Sequence, residues 1–533
     1  MRLSFSDLRD GLVLVDFPEA SNDAANRAAV ALSRALATLR ERGLRDAIPA
    51  ARTLLLSFDP VRLSHGAVRR AASRQGGRAS ARVADGPGRT LDIPTAFDGE
   101  DLATVAAASG LTPGELVGLF CEAEYRVSFL GFAPGFPYLT GLPERLRVPR
   151  LPTPRVRVPA GSVAIAGEYA GIYPSATPGG WRLVGRTGAR LFDPRRDPPA
   201  LFSAGDRVRF SQVRRVDEPA APERPAPPAP LFRVERAGLW SAVVGAPRWG
   251  LASSGVPQGG PMDPASAAAA NAAAGNPPDA GVLEAAVEGP ELEALAPCVA
   301  AIAGADVPVS CNGAARPHGQ PFAVAAGDRV IFGRARKGMR AYLAVDGGLL
   351  DSQETAVTRR LERGDLLAAD AAAGGRAPAG SSGTAAAVGP FTLRAIPGPH
   401  AAMFTAASLD AFFGREWRVS PQSDRRGLRL EGAPLEHVHA AEVDPVGAAP
   451  GSVQVPGGGL PIVLGPDGPV TGGYPRIATV IGADLHRLGQ AAPGDAVRFV
   501  PATLEDALAA YLGGRTGSRA RGVRLAPSDD RNT

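Results

Sequence analysis

The chain has 533 residues, 45% of them hydrophobic, with 65 glycines, 51 prolines and a net charge of +5. So long a chain exceeds one hydrophobic core and predicts several domains, and its Gly/Pro content favours short strands and turns over long helices. Arginine carries nearly all the positive charge and is interleaved with acids, so no nucleic-acid patch is expected, and no apolar run is long enough to predict a membrane span.

In chain order, residues 11–17 (G-L-V-L-V-D-F) read as a strand, Asn22–Arg42 as a helix and Leu54–Phe58 as a second strand. This β-α-β order predicts a small α+β domain over 1–88, with the polar Ala71–Gly88 stretch as a loop. Residues 89–215 follow as a second domain. It opens with helices at Asp101–Ser109 and Thr112–Ala123; Thr112, Pro113 and Glu115 form an N-terminal capping signal. Residues 216–230 hold the tract D-E-P-A-A-P-E-R-P-A-P-P-A-P, an extended linker. Residues 231–515 read as short strands and turns, with one helix at Pro264–Ala274. Ala368–Ala387 reads as an Ala/Gly/Ser loop and 516–533 as a disordered tail. A G-D turn entering a strand occurs at Gly205-Asp206, Gly327-Asp328 and Gly494-Asp495. It is either a common hairpin entry or the mark of a true repeat.

Cys121, Cys298 and Cys311 form no C-x-x-C pair, which argues against a disulfide framework and a zinc site. The N-terminus lacks the apolar core of a signal peptide, and a cytoplasmic location is expected. There is no G-x-x-x-x-G-K-[ST] phosphate loop and no H-E-x-x-H. Lys337 lacks the Met-Lys-Met setting of a biotin carrier, so no biotin attachment site is expected.

The strings Y-R-V-S-F-L-G-F-A-P-G-F-P-Y-L (Tyr125–Leu139), P-R-V-R-V-P-A-G-S-V-A-I-A-G (Pro154–Gly167) and G-I-Y-P-S-A-T-P-G-G-W (Gly171–Trp181) resemble the B subunit of 5-oxoprolinase, also known as allophanate hydrolase subunit 1. The strings G-V-P-Q-G-G-P-M-D (Gly255–Asp263), S-D-R-R-G-L-R-L-E-G (Ser423–Gly432) and T-G-G-Y-P-R-I-A-T-V-I (Thr471–Ile481) resemble the C subunit of the same enzyme. Both halves are similar to the carboxyltransferase region of urea carboxylase. The resemblance implies an α+β, mostly β protein. A ferredoxin-like N-terminal domain precedes a cyclophilin-like β-barrel, and the C-type half comprises two barrel subdomains. It also implies a component of an ATP-dependent hydrolase of 5-oxoproline, with Mg2+ admitted beside ATP and a separate partner resembling the A subunit of 5-oxoprolinase. The alternatives are a biotin-dependent carboxyltransferase for a urea-like substrate and a non-catalytic kinase-inhibitor-like binding protein.

Candidate substrate- or nucleotide-binding residues follow from these segments. Arg155 and Arg157 flank the turn before Ser162 and are either anion clamps or surface arginines. Tyr173 and Thr177 offer hydroxyls, and Gly179-Gly180 offer either backbone N–H groups to an anion or a tight turn beside buried Trp181. In the second half, Thr471, Gly472, Gly473 and Tyr474 repeat that chemistry. Ser423, Asp424 and Arg425 place a hydroxyl, an acid and a base together, with Asp424–Arg425 as a local ion pair in the plainer reading. Arg248 and Gln454 complete the set. The Gly/Pro hairpins of the two halves are expected to meet across one crevice. Three departures from the family pattern imply a changed substrate or a reduced activity: Phe120 in place of a histidine, Val244-Gly245 in place of Gln-Asp, and a shortened 349–366 segment.

Overall fold

The computed structural model describes residues 2–18, 20–81, 88–217, 227, 229–351, 357–369 and 389–516. The N-terminal domain is a four-stranded antiparallel sheet of β1 (Ser4–Arg9), β2 (Leu12–Asp16), β3 (Leu44–Pro49) and β4 (Thr53–Phe58), in the order β1-β2-β4-β3. Helices α1 (Asn22–Ala35) and α2 (His65–Ala81) pack on one face. This is the ferredoxin-like arrangement with one change. The edge strand beside β2 comes from the chain start, not from a strand following α2. The loop expected at Ala71–Gly88 is helical as far as Ala81. Val68, Ala71 and Ala72 bury one side of that helix, and Gly76 leaves room for Leu3. Residues 82–87 lie outside the described residues.

The sheet buries both faces. Val13, Val15, Leu54 and Leu56 meet the helices, while Leu12, Leu14, Ile48 and Leu55 meet Val446 and Val470 of the second half. Two-sided burial explains the unbroken apolar run Leu54–Leu56, where a half-exposed strand alternates.

The next domain is a seven-stranded sheet that curls into a barrel, closed by the bridge between Ala96 and Arg186. Its capped helix runs Pro113–Glu122, with Thr112 and Glu115 forming the expected capping box. The linker falls largely outside the described residues, and the chain resumes in the strand Pro230–Arg236.

The first subdomain of the second half differs from the expected barrel. It is two facing sheets, of seven and five strands, around Phe232, Leu292, Ile302, Val330 and Leu343. Val287, at φ 64°, and Pro290 turn the chain out of one sheet before it enters the other. The alanine helix Pro264–Ala274 lies outside the five-stranded sheet, its small side chains allowing close approach to Ala301 and Ala303. Ala368 and Ala369 end the strand Leu366–Ala369, so the expected loop does not begin there; 370–388 lie outside the described residues.

The last subdomain is a closed seven-stranded barrel. The helix Leu504–Thr516 follows it, where no helix was expected, and the expected tail beyond 516 lies outside the described residues.

The two seven-stranded barrels share one plan. In each, the first strand pairs in parallel with the last: Thr90–Thr95 with Arg207–Gln212, and Phe391–Pro397 with Ala496–Pro501. Their strand orders superpose position for position. Each also carries a small two-stranded flap, Arg155–Val158 with Thr177–Gly179 in one and Val446–Gly447 with Thr471–Gly472 in the other. The G-D turns belong to this plan: Gly205 and Gly494 take positive φ, and Asp206 and Asp495 accept the N–H of Ser203 and Ala492. Gly327-Asp328 makes the same turn onto Ala325 in the sandwich.

Candidate functional site at the junction of the halves

The first-barrel candidates are largely occupied within their own domain. Arg155 binds both carboxylate oxygens of Asp101, at 3.0 and 2.9 Å, and reaches Glu100 at 3.2 Å; it anchors the start of the helix Leu102–Ala108. Arg157 is exposed on a flap strand. Ser162 donates to the Pro159 carbonyl at 2.8 Å. Thr177 is buried in the flap. Tyr173 stands in an aromatic cluster with Phe132, Phe136 and Trp181, and burial pushes its phenol up to about 12. Of the two readings of Gly179-Gly180, the structure favours packing beside buried Trp181, with Gly179 in the flap strand. A Cβ at Gly179 would sit 2.3 Å from the Tyr173 hydroxyl, so this position requires glycine.

Of the second-half candidates, Asp424 and Arg425 line a cleft at the junction, and Thr471 meets Gly131 of the first barrel. A cleft of ≈ 320 Å³ opens between Phe132 and Pro134 of the first barrel, Trp240, Gly255 and Pro257 of the sandwich, and Asp424, Arg425, Arg426 and Asp467 of the last barrel. Thr358 and Arg360, from the shortened segment, add to its lining. The Gly131–Phe136 and Ser420–Arg426 turns join equivalent strands of the two barrels, so like elements face each other across this cleft.

Arg425 is the hub. Its Nε and Nη2 fork onto Asp467 at 2.7 and 3.1 Å, its Nη1 meets Glu284 at 2.8 Å, and its Nη2 also donates to the Gly260 carbonyl at 2.7 Å. Its guanidinium lies over the Trp240 ring. Burial opposes the charge of Arg425, but Glu284 and Asp467 outweigh it and raise its pKa. Burial also opposes ionisation of Glu284; Arg425 and Arg340 outweigh it, and the Tyr342 hydroxyl donates to the carboxylate at 2.9 Å. The expected Asp424–Arg425 pair therefore does not form. Asp424 instead accepts the N–H groups of Arg426 and Gly427, and Ser423 closes the same turn with Arg429. Arg248 reaches the Thr358 hydroxyl at 3.5 Å, and burial lowers its pKa.

The two halves touch beside this cleft. A Cβ on Gly131 would sit 1.8 Å from Thr471 Oγ1. The expected meeting of hairpins thus occurs through the Gly131–Phe132 turn, with Tyr173 one layer behind Phe132. Thr471 is 2% exposed and its hydroxyl has no partner among the described residues. Gly472 leaves space for Gln454 Nε2, which a Cβ would approach to 2.4 Å; Gly473 is half-buried and Tyr474 is exposed.

Arg476 is the residue the motif reading missed. It is 1% exposed, and neither Nη atom has a partner among the described residues. It sits opposite Gln454 in the ladder. The signal was an arginine opening the otherwise uncharged buried strand Arg476–Val480. Its neighbour His400 accepts the Arg476 N–H on Nδ1 at 3.1 Å. Nothing in the sequence marked His400.

The departures divide. Phe120 is core, packed on Tyr125 and Phe210. Val244 and Gly245 line a separate apolar cavity of ≈ 160 Å³ with Leu428, Leu464 and Leu488.

Comparison with known proteins agrees with this architecture. Residues 3–202 match the family described as "Carboxyltransferase domain, subdomain C and D", and residues 254–501 match "Carboxyltransferase domain, subdomain A and B". The B subunit of 5-oxoprolinase from Escherichia coli O157:H7 is 54% identical over 125 residues, 23% of this chain and 57% of that protein; the match thus spans little more than half of that relative. The C subunit of 5-oxoprolinase from Escherichia coli K12 is 35% identical over 293 residues, 52% of this chain and 94% of that protein. The crystal structure of TTHA0988 superposes with a TM-score of 0.79 at 37% identity, covering 92% of this chain and 99% of that one. The chain belongs to the carboxyltransferase-domain family, with a half like the 5-oxoprolinase B subunit fused to a half like the C subunit.

Proposed function

We propose that this protein is the fused B and C component of an ATP-dependent 5-oxoprolinase, working with a separate protein of the A-subunit type to open 5-oxoproline to glutamate. The observation that supports this reading is the junction itself. The turn at Gly131–Phe132 in the B-type half closes on Thr471 and Arg425 of the C-type half, so fusion holds together a cleft that separate subunits would have to assemble. The cleft suits a small polar molecule: Arg425, Thr358 and Asp467 offer hydrogen bonds, and Phe132 and Trp240 offer apolar walls.

A lactam is a poor electrophile, and ATP supplies a phosphoryl group that turns its oxygen into a leaving group. Phosphates fit this chain at the cleft rim, where Arg360 and Arg426 are exposed. The chain's own part is positioning and charge neutralisation in a partly enclosed site.

The test is a coupled assay of the full chain with a competent A-type partner, scoring glutamate release that depends on both ATP and 5-oxoproline. No turnover with an active partner removes the reading. Carboxyl transfer is the second reading, favoured by the description of the matching family. Dependence of turnover on a separate biotinyl protein would select it.

A further inference from the structure

The two barrels provide an internal control for Arg476. Both interrupt the ladder at the same place: Leu183 and Gly185 pair with Ala164 and Val163, and Arg476 and Ala478 pair with Gln454 and Val453. The Asp101 N–H donates to the Leu183 carbonyl at 2.9 Å, and the Asp101 carboxylate accepts the Leu183 N–H at 2.7 Å. His400 makes the same pair of bonds with Arg476, through its N–H at 3.3 Å and its ring Nδ1 at 3.1 Å. Leu183 is thus the counterpart of Arg476, Ala164 of Gln454 and Asp101 of His400. In the first barrel the position is closed by an apolar cluster of Leu183, Ala164, Trp181 and Tyr173. In the last barrel the same position holds a buried guanidinium, an amide and an imidazole.

A buried arginine with unpartnered nitrogens is costly, and packing does not require it, since the sister barrel fills the position with leucine. We propose that Arg476, with Thr471, Gln454 and His400, forms an anion subsite that holds the carboxylate of the substrate. Calling that anion 5-oxoproline rests on the function proposed above; the subsite itself does not.

The donor set suits a planar carboxylate. Arg476 offers two Nη groups in one fork, and the Thr471 hydroxyl is also without a partner among the described residues. Burial, then the charge of Arg476, pushes His400 down to about 4, so it is neutral near pH 7. With Nδ1 accepting a backbone N–H, its ring proton lies on Nε2 and can only be donated. Burial alone lowers Arg476 to about 10, which leaves it cationic. Arg476, Thr471 and His400 can thus each present a hydrogen-bond donor, and Arg476 adds the positive charge. Thr471 also carries the contact with Gly131, so the subsite lies where the B-type half closes.

The experiment measures binding to the full chain by calorimetry, wild type against Arg476→Met and Arg476→Lys. The ligands are 5-oxoproline, its decarboxylated lactam 2-pyrrolidinone, and ATP; melting temperatures are recorded alongside. Arg476→Met is expected to weaken 5-oxoproline on the order of 100-fold. Pyrrolidinone and ATP are unchanged, the melting temperature does not fall, and Arg476→Lys recovers part of the affinity. Affinity for 5-oxoproline within twofold of wild type overturns the subsite while leaving the enzyme reading intact. Loss of ATP binding instead reassigns the anion to phosphate and overturns the carboxylate assignment. A fall in melting temperature without selective loss of the carboxylate ligand marks Arg476 as structural and overturns the subsite. If wild type neither binds nor turns over 5-oxoproline, the enzyme reading fails, and acetate, lactate and glutarate decide the subsite. At least one must raise the melting temperature of wild type and not of Arg476→Met, and none doing so overturns it.

Discussion

The first and last barrels follow the same strand order, interrupt their ladders at the same residue and carry the same flap, yet they use their equivalent turns differently. In the first, the Gly131–Phe136 turn and the position of Leu183 are filled by stacked aromatic and aliphatic groups. In the last, the Ser420–Arg426 turn holds Arg425 in an ion network, and the equivalent of Leu183 is Arg476. One barrel has become a packing platform and the other holds the polar groups. Substitution can separate the two roles.

The largest effects come from opening each turn. Arg425→Met leaves Glu284, 0% exposed, with Arg340 as its only cation within ion-pair distance among the described residues. Breaking one partner of such a buried network costs about 3–5 kcal/mol. Phe136→Ala in the first barrel removes a ring that contacts Tyr138, Tyr173 and Trp181, and costs a similar ~3–5 kcal/mol. Urea unfolding measures both. If the comparison is right, Arg425→Met also changes the affinity for a small-molecule ligand measured below the unfolding transition, and Phe136→Ala changes it far less.

Acid titration is next in size and separates two regions with opposite signs. Asp46 in the N-terminal domain accepts the N–H groups of Gly250 and Ala252, and burial raises its pKa to about 6. Its folded state binds a proton more tightly than the unfolded chain, so this group adds stability as pH falls from about 6 towards 3.8. His400 is the reverse. Its folded pKa of about 4 lies below the ordinary histidine value of 6.5, so stability is lost as pH falls through that window. Each group contributes about 3 kcal/mol, and together they nearly cancel. Asp46→Asn keeps an oxygen for both N–H groups. It should raise the melting temperature at pH 7 and leave a chain that loses stability steadily down to pH 4. His400→Gln should leave one that gains stability over the same range. Parallel pH profiles for the two variants would refute both assignments.

Gly131→Ala tests the contact between the halves. The added methyl meets Thr471 Oγ1, and overpacking of this kind costs about 1–3 kcal/mol. Thr471→Ala in the same chain removes the obstructing hydroxyl and should recover much of the loss in melting temperature. Gly131→Ala alone should also weaken any ligand held at the cleft.

Local order was more legible in the sequence than the site. The helix Pro264–Ala274 and the Thr112 cap follow from residues adjacent in the chain, as does the strand beginning at Leu12. The helix over His65–Ala81 was hidden by its glycines and arginines, because its burial comes from Leu3 and the sheet and not from its own composition. The short Gly/Pro strings pointed to the right loops but not to which loop binds. Gly179 and Gly472 sit in equivalent flap strands; one admits a tyrosine hydroxyl and the other an amide. Arg425 was found, but its partners Glu284 and Asp467 are 141 and 42 residues away, beyond any local pattern. Arg476 looked like one more arginine until its burial was known.

The smallest effect tests whether the plan shared by the barrels extends to their helices. Each barrel follows its first strand with a capped helix: Thr112 accepts the Glu115 N–H at 3.3 Å, and Thr405 accepts the Ser408 N–H at 3.2 Å. Glu115 also returns its carboxylate to the Thr112 N–H at 2.7 Å, while Ser408 turns its hydroxyl to the Glu436 N–H at the same distance. Either threonine to alanine removes a cap worth about 1 kcal/mol. The losses should still differ. Thr112→Ala acts on an exposed cap whose reciprocal bond from Glu115 survives in part. Thr405→Ala frees Ser408, which is buried and also holds the chain at Glu436. Thr405→Ala should therefore lower the melting temperature more than Thr112→Ala does. Equal losses would mean that the two caps act alike and that Ser408 adds nothing by bridging the helix to the loop at Glu436.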